Sequence, residues 1–210
     1  MVLHYTGMAS AEAALARLCD PAAEVSAHWL IAEDGRVWRL VDEAMRAWHA
    51  GAGAWGEVED VNSRSIGVEL ANTGPLEGFP PFPEPQMAAL ERLLAGLAGR
   101  WGIPPARVIG HSDMAPGRKT DPGPKFDWRR LARAGLSVWP EPEAEAGAGP
   151  GTGAADWPAF RAAAGRAGYR APGGDWEAAL AAFRLRFRPW ASGPLAAEDV
   201  AAAAGLAALA

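Results

Sequence analysis

The chain has 210 residues, half of them hydrophobic, with 21% charged and a net charge of −5. The acidic balance argues against a general nucleic-acid binder, which would carry a basic face, and no apolar run approaches the roughly 18 residues of a membrane span. Cys19 is the only cysteine, so no intrachain disulfide and no cysteine zinc cluster can form.

Val2–Tyr5 reads as a short strand carrying His4. No signal-like stretch precedes it, so the chain as written is expected in the cytoplasm. An opening strand without any lead-in raises a second expectation, that residues are missing upstream. A leader among them would place the protein in the periplasm or cell envelope. Ser10–Asp20 follows as a helix behind a serine cap. Residues 26–41 form two β-rich runs around Asp34-Gly35, the pattern of a hairpin. Residues 65–72, "SIGVELAN", predict a short central strand.

Residues 84–102 place apolar side chains at 87, 90, 93, 94, 97 and 101, which predicts an amphipathic helix ended by Gly102. Residues 107–113 read as a strand that leaves into a loop at His111, and 127–136 as a helix capped by Asp127. The sum over residues 1–139 is an α/β domain, a mixed central sheet flanked by helices. Residues 140–155 are rich in proline, glycine, alanine and glutamate and read as a linker. Residues 156–210 hold three helical stretches, a unit whose core is marginal alone and would gain from docking on the first domain. A monomer is expected.

Among four histidines, His4 and His111 share a setting, each closing a short apolar strand, "VLH" and "VIGH". Asp121 follows His111 by ten residues and precedes Pro122, which disfavours helix at Asp121. Two imidazoles and one carboxylate suit a catalytic zinc ion with an open position for water. On spacing alone, a loop stabilised by His111 and Asp121 is the competing reading. Glu69 interrupts the apolar "IGVEL", where a carboxylate needs a partner or a purpose. It is either a general base or half of a buried ion pair, for instance with Arg64. Lys119 stands two residues before Asp121 and would share its side in an extended segment. It is either an oxyanion stabiliser or a solvated lysine.

The motifs "LHYTG", "SAHWLI", "WHAGAGAW", "NSRSIGVEL", "IGHSDMAPGRKTDPG" and "FDWRRLARAG" occur in this order. Together they resemble the type 2 family of zinc-dependent N-acetylmuramoyl-L-alanine amidases, which shares its fold with the peptidoglycan recognition proteins. The resemblance covers residues 1–139. It implies zinc on His4, His111 and Asp121, with Glu69 as catalytic acid/base and Lys119 as transition-state stabiliser. It implies cleavage of the amide between N-acetylmuramic acid and L-alanine in peptidoglycan or muropeptides. Relatives that recognise peptidoglycan without cutting it are the alternative, and they typically lack a zinc ligand. His49 and Trp48 are expected to line the substrate groove. Asn62 and Arg64 are expected to orient Glu69 or hold the stem-peptide carboxylate. The tail resembles the small three-helix peptidoglycan-binding domain often appended to such amidases, although "ASGPLAAED" departs from that domain's pattern.

Overall fold

The computed structural model describes residues 1–140 and 156–210, so the expected linker lies outside the described residues except for Pro140. Five strands form one sheet: β1 (Val2–Tyr5), β2 (Trp29–Ile31), β3 (Val37–Arg39), β4 (Gly67–Leu70) and β5 (Ile109–Gly110), in the order β3-β2-β4-β1-β5. β1 runs parallel to β4 and β5, β2 runs parallel to β4, and the β2–β3 hairpin supplies the antiparallel edge. The sheet is mixed, as its sequence predicts.

Alternation along the strands decides which face does what. Leu3, Val68 and Leu70 point to one side, into a core with Leu90, Leu94 and Leu97 of α2 (Glu84–Trp101). Helix α2 ends where Gly102 takes a left-handed conformation at φ 61°, as the glycine after the last apolar position predicts. Gln86, at its start, is buried and donates from Nε2 to the carbonyls of Ile31 and Ala71, both at 2.9 Å, tying the helix to the ends of two chain segments. His4 and Glu69 point to the other side. They are partners in the β1–β4 register, so the pleat sets both on one face next to each other. The first helix, α1 (Ala11–Leu18), is capped by Ser10 as expected.

The strand expected over 107–113 is shorter. It ends at Gly110, and His111 opens a helical turn, α3 (His111–Met114). Asp113 causes the switch: its Oδ2 accepts the Gly110 amide at 2.8 Å, a local bond that competes with continued pairing. Helix α4 (Trp128–Arg133) follows with Asp127 as its cap.

The tail forms three helices, α5 (Trp157–Ala167), α6 (Trp176–Phe187) and α7 (Ala197–Leu209). They share one hydrophobic cluster with the sheet domain, in which Phe160, Phe183 and Phe187 meet Trp55, Ile109 and Met114. A buried polar contact reinforces it. Arg186 of α6 donates to Asp113 Oδ2 at 2.7 Å and to Ser137 Oγ at 3.0 Å, and Tyr169 donates to Asp113 Oδ1. The cluster and these bonds hold the tail directly behind the turn that carries His111.

Candidate active site

His4 Nδ1, His111 Nδ1 and Asp121 Oδ2 converge at the carboxyl end of β1, each 2.8–2.9 Å from the other two. All three side chains are buried. Their proton inventory points to a cation. His111 donates from Nε2 to the Ala50 carbonyl at 2.7 Å, so a neutral His111 presents a bare lone pair at Nδ1. That lone pair faces the acceptor-only oxygen of Asp121. Lone pairs at this separation repel unless a positive charge lies among them. Two neutral imidazoles and one carboxylate are also a donor set that zinc takes. The residues therefore fit a zinc ion.

The electrostatics agree. Burial, with the nearby His111, lowers the His4 pKa to about 4, so His4 is neutral at physiological pH. Burial alone would raise the Asp121 carboxyl, but a proton on the facing His111 and His4 nitrogens outweighs it and holds the group below the usual carboxylate range, so the carboxylate is stabilised by positive charge held at this spot. Glu69 is pushed the opposite way. Burial and then the charge of Asp121 raise its pKa well above the ordinary value, with Lys119 opposing. Its Oε2 is buried and finds no partner among the described residues. An ion pair with Arg64 is not formed. A strongly perturbed carboxyl beside a convergent donor set has the character of a functional group.

These residues face a groove of about 360 Å³ lined by His4, Tyr5, Trp48, His49, Glu69 and Lys119 among others. An adjoining hollow of about 370 Å³ shares Trp48, His49, His111 and Lys119 with it. Trp48 is 52% exposed, a free indole face on the groove wall. Lys119 is exposed as well and lines the same groove.

A family described as N-acetylmuramoyl-L-alanine amidase matches residues 1–124. The chain belongs to this amidase family. It is 39% identical over 153 residues to the N-acetylmuramoyl-L-alanine amidase AmiD of Escherichia coli, covering 67% of this chain and 54% of AmiD. It is 42% identical over 107 residues to the 1,6-anhydro-N-acetylmuramyl-L-alanine amidase AmpD of Enterobacter cloacae, covering 51% of this chain and 55% of AmpD. The chain thus spans about half the length of the curated relatives it matches. Among solved structures, AmiD of E. coli, in complex with anhydro-N-acetylmuramic acid-L-Ala-D-gamma-Glu-L-Lys, superposes with a TM-score of 0.86 at 36% identity, covering 98% of this chain and 86% of that one. AmpDh3 of Pseudomonas aeruginosa superposes with a TM-score of 0.85 at 31% identity, covering 98% and 89%. Both superpositions extend through the tail.

Within this amidase fold the expected substrate-contacting residues divide. Trp48 lies on the groove. His49 borders it but is 8% exposed, and both ring nitrogens are engaged, Nδ1 with His4 at 3.0 Å and Nε2 with Ser65 Oγ at 3.3 Å. Asn62 Oδ1 accepts the backbone N–H groups of His49 and Ala50 at 3.0 and 2.8 Å. That oxygen is committed to the loop backbone and not to Glu69, while Asn62 also lines the adjoining hollow. Arg64 borders a different cavity with Met1, Val2 and Ile109, at the opposite end of the strands, and does not line the groove. Sequence reasoning missed the side chains that brace the ligands. The one signal for them was the density of small and polar residues in "WHAGAGAW" and "NSRSIG", whose purpose emerges only when the two segments pack together.

Trp55, flanking the same loop, is core: it is buried, its ring meets Tyr169 edge-on, and Gly168 lies against it. His28 is also structural. Its Nδ1 accepts the Gly67 amide at 2.9 Å and its Nε2 donates to the Met45 carbonyl at 3.0 Å.

Proposed function

We propose that the chain hydrolyses the amide joining the lactyl group of N-acetylmuramic acid to the L-alanine of a stem peptide, with zinc held by His4, His111 and Asp121. The observation that carries this reading is the convergence of those three donor atoms in a groove that Glu69 and Lys119 also line. Zinc would supply Lewis-acid polarisation of a carbonyl and acidification of water.

The chain's own residues supply the rest. Glu69 Oε2 is enclosed, which leaves Oε1 to meet a proton in the groove. Glu69 takes a proton from the attacking water at Oε1 and returns it to the departing alanine nitrogen as the C–N bond breaks. Its raised pKa favours the return of the proton, and the Lys119 charge, which opposes that rise, favours the ionised form that takes it. The Lys119 ammonium lies where it can stabilise the oxyanion of the tetrahedral intermediate. Trp48 offers an apolar face for a sugar ring or peptide.

Soluble muropeptides are the proposed substrate class. The AmpD relatives are named for 1,6-anhydro-N-acetylmuramyl-L-alanine, and the AmiD structure holds an anhydro-muropeptide, both of which support this. The test is mass spectrometry of a purified muropeptide after incubation, with and without a zinc chelator. Release of an intact peptide beginning with L-alanine, blocked by chelator and restored by zinc, is the expected result. Folded, zinc-loaded protein that leaves the substrate whole would overturn it in favour of recognition without cleavage.

A further inference from the structure

We infer that the segment His49–Ala50 orients both metal-facing imidazoles at once, with His49 a positioning residue for His4. This deepens the zinc reading proposed above and rests on it. Four hydrogen bonds admit a single proton assignment. Ser65 Oγ lies 2.6 Å from the Val61 carbonyl, which can only accept, so the hydroxyl hydrogen goes there. Ser65 Oγ must then accept from His49, which puts the His49 proton on Nε2 and a lone pair on Nδ1. That lone pair, 3.0 Å from His4 Nε2, accepts a proton carried there. His4 Nδ1 is left bare, facing His111 and Asp121. At the next residue the Ala50 carbonyl does the same for His111 by accepting from its Nε2 at 2.7 Å.

Two adjacent residues thus set two tautomers and two ring directions. The fastening of the segment is as specific as its contacts. Asn62 Oδ1 accepts both backbone amides, of His49 and Ala50. Arg118 Nη2 adds a second donor to the Ala50 carbonyl at 2.7 Å. Metal-ligating histidines depend on such partners for tautomer and orientation, and loss of a partner typically weakens metal binding about 10–100-fold.

The test compares His49→Leu with His49→Asn in the full chain, by zinc affinity from chelator competition and by ¹⁵N NMR of the imidazoles. Leucine removes the acceptor for His4 Nε2; asparagine Oδ1 can replace His49 Nδ1. The expected result is a zinc affinity about 10–100-fold weaker for His49→Leu, with the His4 tautomer no longer fixed, and recovery of most of both in His49→Asn. Equal affinity and an unchanged His4 tautomer in folded His49→Leu would overturn the inference. So would two variants that lose affinity alike, because His49 would then act by bulk alone.

Should His49→Leu not fold, Ser65→Ala decides. It removes the hydroxyl acceptor and leaves His49 only its contact with the Ser65 backbone, so a partly mixed His49 tautomer and weaker zinc binding are expected, and no change in either would overturn the proposal. Wild-type protein that binds no zinc would instead remove the zinc reading itself.

Discussion

The imidazole of His49 fills the space that any side chain at Gly67 would need. A Cβ built on Gly67 would lie 2.3 Å from His49 Cγ and 2.6 Å from Nδ1, closer than real side chains approach. Gly67 begins β4, two residues before Glu69, so the strand that carries the proposed acid/base also makes room for the residue bracing His4.

Gly67→Ala therefore has a local and measurable consequence. The added methyl must displace the His49 ring or part β4 from its neighbours, and overpacking of this kind costs about 1–3 kcal/mol. Zinc affinity is expected to fall on the order of 10-fold or more, since the His4 partner moves. Chelator competition on the folded variant reads the effect. Unchanged affinity would mean that the ring accommodates the methyl without shifting from His4.

Glu69→Gln separates catalysis from stability. A carboxyl whose folded pKa is raised holds its proton more tightly in the folded state than in the unfolded state. Stability from this group is full below its unfolded pKa, about 4.3, and is lost as pH rises through the raised folded value. Glutamine cannot ionise, so the loss disappears along with the proton exchange. The variant is expected to be inactive on muropeptide. In zinc-free form at neutral pH it is expected to unfold at a higher temperature than the wild type. Calorimetry of the two chelated proteins checks this; a lower midpoint for Glu69→Gln would show that the ionised carboxylate is stabilised in place.

Zinc removal should register in stability as well as in activity. Without a cation, the bare Nδ1 of His111 faces Asp121 Oδ2 at 2.9 Å. A metal that binds only the folded state adds about 2.7 kcal/mol when its free concentration is 100-fold above the dissociation constant. Chelation is expected to lower the melting temperature and abolish turnover, and zinc to restore both. A melting curve indifferent to chelator would mean that the donor cluster holds no metal in solution.

Much of this was legible in the sequence because the signals are local. Ser10 and Gly102 mark helix ends, and the strand around Glu69 is apolar except at that position. His4, His111 and Asp121 meet because two strand ends and one loop converge, an arrangement implied by their settings and by the family motifs. The bracing residues were not legible in the same way. His49 and Asn62 read as groove residues because they are polar and lie in loops, and they do border the groove and its adjoining hollow, but their bracing partners are 45 and 13 positions away in the chain. Arg64 misleads by adjacency: it stands five positions before Glu69, the chain has not yet turned onto the face that carries Glu69, and Arg64 borders the opposite end of the strands. The helical turn at His111 depends on one Asp113 hydrogen bond, which strand propensity does not register.

Asp113 also decides what the tail does. Its carboxylate is fully buried and is held by Arg186 on one oxygen and Tyr169 on the other, both from the tail. Arg186 further stacks its guanidinium 4.0 Å from the Trp128 ring. Arg186→Leu would leave a buried carboxylate without its cation, a change that costs about 3–5 kcal/mol. Arg186→Lys would restore the charge but not the fork that spans Asp113 and Ser137, so partial recovery is expected. Pairing Arg186→Leu with Asp113→Asn should cost less than the single change, because no unpaired charge remains.

Deletion of residues 141–210 goes further. It uncovers Trp55 and Met114, which lie in one cluster with Phe160, Phe183 and Phe187. Urea unfolding is expected to show a lowered midpoint for Arg186→Leu and loss of a cooperative transition in the truncated chain, with turnover falling as the His111 turn loses its backing. A truncated chain that kept the midpoint and turnover of the full one would make the tail an appendage, and would place the support of His111 within the sheet domain alone.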